Sequence, residues 1–450
     1  MQKIVRRSCL LNVGSKIRVC DCIMGSGKTE SAIDYMNKHL ENKYVYITPY
    51  LDEAKRIRDG CPDLHFVEPS NKLVEYGFSK TNHTAHLISE GRNITTTHSA
   101  FKRYDEETLH NIQELGYVLI IDESVDVLEQ YDIHPEDLRI LIDSGYIVRD
   151  APYYKLSDRE YNGVAFKEVF RFLKARDLVE IDNEESGRAF YWALPPRLFT
   201  SFKEVYVLTY LFEGQRLCQY LKMNELPYCK IGVRRTDTGG YEFSDMMEYI
   251  PEYVKDLRQK IHILDNDKMN EVGDDRCSMS MNWFSRDTQG VVQLKKNLTN
   301  FFRNVSADIP YDERLWGGFS DTYGKLRGKG YSKCFLPFNA RATNSYRNKT
   351  CLAYMANVYM NVGEKLMYAG RGCDIDEDVY ALSVMLQWIW RSAIRDGKDI
   401  TLYLPSVRMR ELLVNWMNKV SYEYRSRKGD LKQTEWGCGS ETTRKERQVL

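Results

Sequence analysis

The run Met24-Gly25-Ser26-Gly27-Lys28-Thr29 places two glycines, a lysine and a hydroxyl in an order suited to phosphate chemistry. Glycines let backbone N–H groups wrap phosphate oxygens, and a helix N-terminus adds partial positive charge. Lys28 can reach the β- and γ-phosphates of a nucleotide, and Thr29 offers a hydroxyl to Mg²⁺. The nucleotide-binding set is therefore Gly25, Ser26, Gly27, Lys28, Thr29 and the adjoining Glu30. The first glycine of the G-x-x-x-x-G-K-[ST] spacing falls on Cys22, a residue small enough for that place. A second run, Val118-Leu119-Ile120-Ile121-Asp122-Glu123, is an apolar strand ending in two carboxylates. A carboxylate at a strand's C-terminal edge can hold Mg²⁺, while its neighbour orients and deprotonates a water. Asp122 takes the first role and Glu123 the second.

A third run, Gln387-Trp388-Ile389-Trp390-Arg391-Ser392-Ala393-Ile394-Arg395, supplies cations. On one helix Arg391 and Arg395 stand at i and i+4, with Gln387 one turn earlier on the same face. A basic face paired with surface acids is the plain alternative. The two preceding motifs favour a cation offered to a γ-phosphate from a second lobe.

The elements that must position these residues read as alternating β and α. Short apolar runs at 17–23, 44–47 and 117–121 suit strands buried on both faces of a parallel sheet. Helical patterns fill the gaps at 29–39 and 51–58, and another strand is expected at 205–211, followed by a helix at 213–223. The stretch 132–198 interrupts the series. It offers a capped helix start at 133–138, an amphipathic helix at 166–173 and a hairpin from 178–181 and 190–194, an order resembling part of a winged helix. A second α/β unit follows, with strands expected at 277–283, 350–354 and 400–404 and helices at 290–302, 380–394 and 408–420. The expected domains are 1–131 with 199–220, the inserted α+β module 132–198, a second domain 221–415 and a basic tail 416–450.

The 450 residues are 43% hydrophobic and 28% charged, an ordinary globular composition that excludes a disordered or collagen-like chain. No run approaches the roughly 18 apolar residues of a membrane-spanning helix, and the N-terminus lacks a signal-peptide core, so a cytoplasmic address is expected. Sixty-four basic residues balance 64 acidic ones. Nucleic-acid binding would have to come from local patches and not from a global field. Eleven cysteines without a CxxC pair read as reduced thiols.

Taken together, the runs resemble superfamily 2 helicases, with the likeness extending over about residues 20 to 405 and pointing to DEAD-like helicases of tailed bacteriophages. Gly25 to Thr29 is similar to motif I, Asp122-Glu123-Ser124-Val125 to the DExx of motif II, and Gln387 to Arg395 to the Q-x-x-R-x-x-x-R form of motif VI. Thr48-Pro49 sits in a motif Ia-like run, and Thr97-His98 in the next strand-contacting motif. Residues 207–211 hold the place of motif III, and 338–346, with Thr343 and Asn344, that of motif V. The resemblance implies two tandem RecA-like P-loop domains that use ATP and Mg²⁺ on single-stranded, forked or branched DNA, in phage replication or recombination, beside other replication proteins. It also implies nucleic-acid contacts at Thr48, Pro49, Thr97, His98, Thr343 and Asn344, largely to phosphates. No adenine-reading Q motif precedes the loop, which leaves the base unspecified. A DNA-packaging motor ATPase and an origin- or junction-binding factor with a degenerate ATPase are the rival readings. The first would carry a nuclease domain with clustered carboxylates; the second is disfavoured by intact Lys28, Asp122, Glu123 and two arginines.

Overall fold

The computed structural model describes residues 16–428 except 50, 78, 132, 151–152, 184–186, 247 and 341–344. Three sheets organise the described residues. The first has seven strands in the order Tyr241–Ser244, Tyr228–Arg235, Ile17–Asp21, Glu204–Thr209, Tyr117–Asp122, Lys43–Ile47, Ile94–Thr96. All its pairings are parallel except that of Tyr241–Ser244 with Tyr228–Arg235. The apolar run of the Tyr117–Asp122 strand serves two cores at once. Tyr117, Leu119 and Ile121 face one, and Val118 and Ile120 face the other, as expected for a strand covered on both sides.

The second sheet is smaller and wholly parallel, in the order Ile261–Ile263, Ile400–Tyr403, Cys351–Tyr354, Arg314–Gly317. The third is antiparallel and belongs to the inserted module, in the order Leu128–Tyr131, Gly187–Ala193, Asp177–Asn183, Tyr153–Leu156, Ile147–Asp150. The helices Pro135–Asp143 and Lys167–Leu173 share its core through Leu138, Leu141, Val169 and Phe170. The molecule is thus α/β with two parallel-sheet domains and an inserted α+β module. No helix among the described residues is long and apolar enough to cross a membrane.

Several elements differ from the sequence reading. The first sheet does not end near residue 220: it gains strands Tyr228–Arg235 and Tyr241–Ser244 through the edge of Ile17–Asp21. The module is a five-stranded sheet that begins at Leu128, in place of a winged-helix hairpin, because Ile147–Asp150 and Tyr153–Leu156 extend it. Residues 277–283 form no strand. Ser280 accepts a hydrogen bond from the Trp283 N–H and caps the helix Met281–Arg286, so local capping outweighs the alternation of the run. The expected helix 380–394 runs Glu377–Ile389 and stops: the Ser392 hydroxyl donates to the Ile389 carbonyl, and Ala393 N–H donates to Lys349 O across to a neighbouring segment. Residues 416–428, assigned to the tail by sequence, continue the helix Val407–Lys428, with Trp416 and Met417 buried. Residues 429–450 lie outside the described residues.

The module touches both domains. Arg176 Nη1 donates to Glu129 Oε2 at 2.8 Å, and its Nε donates to the Lys102 carbonyl in the first domain at 3.4 Å. Tyr191 donates to Asn361 Oδ1 at 2.9 Å, where it meets the helix Val362–Ala369 that follows the second domain's Cys351–Tyr354 strand.

Candidate functional site

The loop after Ile17–Asp21 holds its shape through two left-handed glycines, Gly25 at φ +71° and Gly27 at φ +86°. Only glycine takes this backbone without penalty. Gly27 serves a second purpose, since a Cβ there would run into the Tyr241 ring; at Gly25 the nearest atom, Tyr253 Cε1, lies at an ordinary 3.4 Å. Gly27→Ala should therefore destabilise the fold more than Gly25→Ala, which carries only the left-handed cost of about 1–2 kcal/mol. Equal melting-temperature losses in the two variants would contradict the close approach.

Lys28 begins the helix Lys28–Lys38 and folds back over the loop. Its ammonium donates to the Cys22 carbonyl at 2.5 Å and the Ile23 carbonyl at 3.1 Å. Ser26 Oγ is buried with no hydrogen-bond partner among the described residues. Thr29 is half-buried and Glu30 is exposed, where it accepts from Arg56. Asp122 ends its strand half-buried, and burial first, then the Glu123 and Glu53 carboxylates, push its carboxyl up to about 7. Tyr46 donates its hydroxyl to Asp122 Oδ2 at 3.1 Å. Glu123 stands at φ +64°, a left-handed conformation unfavourable for a side chain with a Cβ. Its N–H donates to the Leu208 carbonyl at 3.0 Å, which fixes the turn against the neighbouring strand.

Across from these groups lies the second domain. Gln387, Arg391 and Arg395 line the same cleft as Gly25, Gly27, Lys28, Thr29, Glu30, Asp122 and Glu123; its volume is about 400 Å³. They do so without sharing one helix face. Gln387 is on the helix Glu377–Ile389, Arg391 follows its C-cap Trp390, and Arg395 is on the 3-10 turn Ala393–Asp396. Arg391 is 6% exposed, and its Nε and Nη1 have no hydrogen-bond partner among the described residues. Arg395 reaches over the cleft to Glu53, 3.7 Å away.

Sequence reasoning missed several residues of this cleft. Glu53 and Arg56, joined at 3.0 Å, come from the helix Leu51–Gly60. Arg347, hydrogen-bonded to Asp396, joins from the second domain, and Tyr241 and Tyr253 lie beside the glycines. Glu53 ends the motif Ia-like run 47–53 and shares with Arg56 the polar face of the 51–58 helical pattern, and Arg347 stands just past the motif V-like run; Tyr241 and Tyr253 belong to no local pattern.

The nucleic-acid candidates are placed less uniformly. Thr48 is 1% exposed just past the C-terminal end of Lys43–Ile47, and Pro49 beside it is half-buried. Thr97 is half-buried and caps the helix His98–Phe101. His98 is buried, with Nε2 3.1 Å from the Asp122 carbonyl oxygen. Thr343 and Asn344 lie outside the described residues.

Two parallel-sheet α/β domains facing one another across a cleft, with a glycine-rich loop on one wall and arginines on the other, define the class of this molecule. Residues 255–417 match the YonV C-terminal Rossmann-like domain. Over 412 residues the chain is 36% identical to the SPbeta prophage-derived uncharacterized protein YonV of Bacillus subtilis (strain 168), a match covering 89% of this chain and 98% of that one. The chain belongs to the YonV family. Among solved structures it is similar to S. tokodaii Xpd4, at 13% identity and a TM-score of 0.41 over 90% of this chain and 95% of that one. It is likewise similar to an apo structure of XPD, at 13% identity and a TM-score of 0.38 over 88% and 95%.

Proposed function

We propose that the chain is an ATP-dependent DNA helicase or translocase whose two domains bind and hydrolyse ATP between them. The observation that carries this reading is Arg391. A buried guanidinium with two nitrogens that have no partner among the described residues is costly unless an anion completes it, and the wall opposite carries the glycine-rich loop. The cleft also fits Mg²⁺: Asp122 and the Thr29 hydroxyl would hold it, both being hard oxygen donors. A bound magnesium ion neutralises phosphate charge there. Lys28 is released from the Cys22 and Ile23 carbonyls to meet the phosphates, and the Ser26 hydroxyl, buried in the loop, becomes available to the same anion. Glu123 orients the attacking water and accepts its proton. Arg391 and Arg395 stabilise the charge that develops on the transferred phosphoryl group. Gln387 lines the same wall.

Pro49 and Thr97, both half-buried, support the DNA part of the proposal, whereas Thr48 is 1% exposed. They follow the C-terminal ends of two neighbouring parallel strands, the edge at which open α/β sheets receive ligands. The prophage source of the YonV relative fits a role in phage replication or recombination, with DNA as partner and other replication proteins beside it, in the host cytoplasm. A strand-displacement assay on forked DNA tests the activity. ATP-dependent release of the labelled strand is expected, and hydrolysis without release would restrict the function to translocation.

The raised Asp122 carboxyl gives this reading a pH signature. Below about pH 7 a cation must displace its proton, so Mg²⁺ binding with a non-hydrolysable ATP analogue should weaken by up to about tenfold per unit as pH falls. Asp122→Asn has no proton to lose and should show only the smaller dependence of the nucleotide itself. Calorimetric titration at about pH 6 and about pH 8 measures the difference, and identical profiles for both proteins would contradict it.

A further inference from the structure

Two tyrosines that no motif announces stand against the glycines of the phosphate loop. Tyr241 opens the strand Tyr241–Ser244, and its ring fills the space a Cβ on Gly27 would need. Tyr253 lies in the 3-10 segment Glu252–Asp256 and donates its hydroxyl to the Met24 carbonyl at 2.6 Å, which ties it to the start of the loop. Both rings are half-buried and line the cleft. Each touches a further aromatic ring: Tyr241 meets Tyr249 at 5.4 Å between centroids, and Tyr253 meets Trp390 of the second domain at 6.2 Å.

Three hydroxyls near these rings are already engaged. That of Tyr253 is spent on Met24, that of Tyr210 accepts from Trp416 Nε1 at 2.8 Å, and that of Thr209 is bonded to Gln215. What Tyr241 and Tyr253 add to the polar cleft is aromatic surface. Every nucleobase has a π-face, so stacking on an aromatic ring tolerates any base, whereas discrimination needs hydrogen bonds to the base edge.

We propose that Tyr241 and Tyr253 form the platform on which the base of a bound nucleoside triphosphate rests, and that the site accepts purine and pyrimidine nucleoside triphosphates alike. The inference rests on the nucleotide reading of the cleft and deepens it, by widening the substrate class from ATP to nucleoside triphosphates in general. The phosphates are gripped by the loop, and the base contributes only through its area.

Calorimetric titration of the full chain with ATP, GTP, CTP, UTP and inorganic tripolyphosphate, each with Mg²⁺, tests it. The four nucleotides should bind wild-type protein with affinities within about tenfold of one another. Tyr241→Ala should weaken all four by roughly tenfold or more, the scale of one lost base stack, and leave tripolyphosphate unchanged. Tyr241→Phe, which keeps the ring, should restore nucleotide affinity. Unchanged nucleotide affinity in Tyr241→Ala, or a preference for ATP far beyond tenfold, overturns the platform while leaving the phosphate loop in place. Failure of wild-type protein to bind either ATP or tripolyphosphate overturns the platform and the nucleotide reading together.

Discussion

Glu123→Gln should lower the steady-state rate of ATP hydrolysis by about 10²–10⁴-fold, the usual contribution of a positioned general base, while leaving nucleotide binding close to wild type. The amide has the size of the carboxylate and makes no new demand on the left-handed backbone at φ +64°, so the turn held by the Leu208 carbonyl should persist. Asp122 would still be present to hold the metal. Phosphate release at saturating ATP, beside the affinity for a fluorescent ATP analogue, separates the two effects. Near wild-type turnover would remove Glu123 from the chemistry.

Arg391→Ala should reduce kcat by about 10³-fold or more, taking arginine fingers in related phosphoryl transfer as the guide. The same change should raise or leave unchanged the melting temperature of the nucleotide-free protein. The wild-type guanidinium is 6% exposed, with two nitrogens that have no partner among the described residues, and removing such a buried cation relieves its desolvation. Arg395→Ala should behave differently. Arg395 is 38% exposed at its side chain and lies 3.7 Å from Glu53, so it gives up a partner to meet an anion and its loss should cost less in kcat. Rates and melting curves of the two variants, measured in parallel, distinguish these roles. Wild-type kcat in Arg391→Ala would reduce it to a structural residue.

The unequal placement of these arginines also shows what the sequence could and could not reveal. The glycine-rich loop and the Asp122-Glu123 pair are legible because both depend on a strand followed at once by a turn, a local arrangement that spacing encodes. Gln387, Arg391 and Arg395 are recognisable as a set, and they do share the cleft, but the i,i+4 argument fails for them. Ser392 bonds back to Ile389 and ends the helix first, and tertiary contact then brings the side chains to one wall. Tyr241 was invisible for a different reason. It arrives on a strand that joins the first sheet from beyond the expected domain boundary, pairing with Tyr228–Arg235 beside Ile17–Asp21, and no local period marks such an edge addition. Glu53 and Arg56 sit on a helix whose amphipathic pattern reads equally well as a solvated face. The module's helices and hairpin follow the sequence pattern, whereas its outer strands Ile147–Asp150 and Tyr153–Leu156 are short and their pairing is set by the sheet they complete.

The central claim is that nucleotide turnover between the two domains drives movement along DNA. Its most direct test is the rate of ATP hydrolysis by the full chain with and without single-stranded DNA. A several-fold stimulation by DNA, absent in Glu123→Gln, is the expected result. Hydrolysis that is the same with and without DNA, or no hydrolysis in either case, would contradict the account.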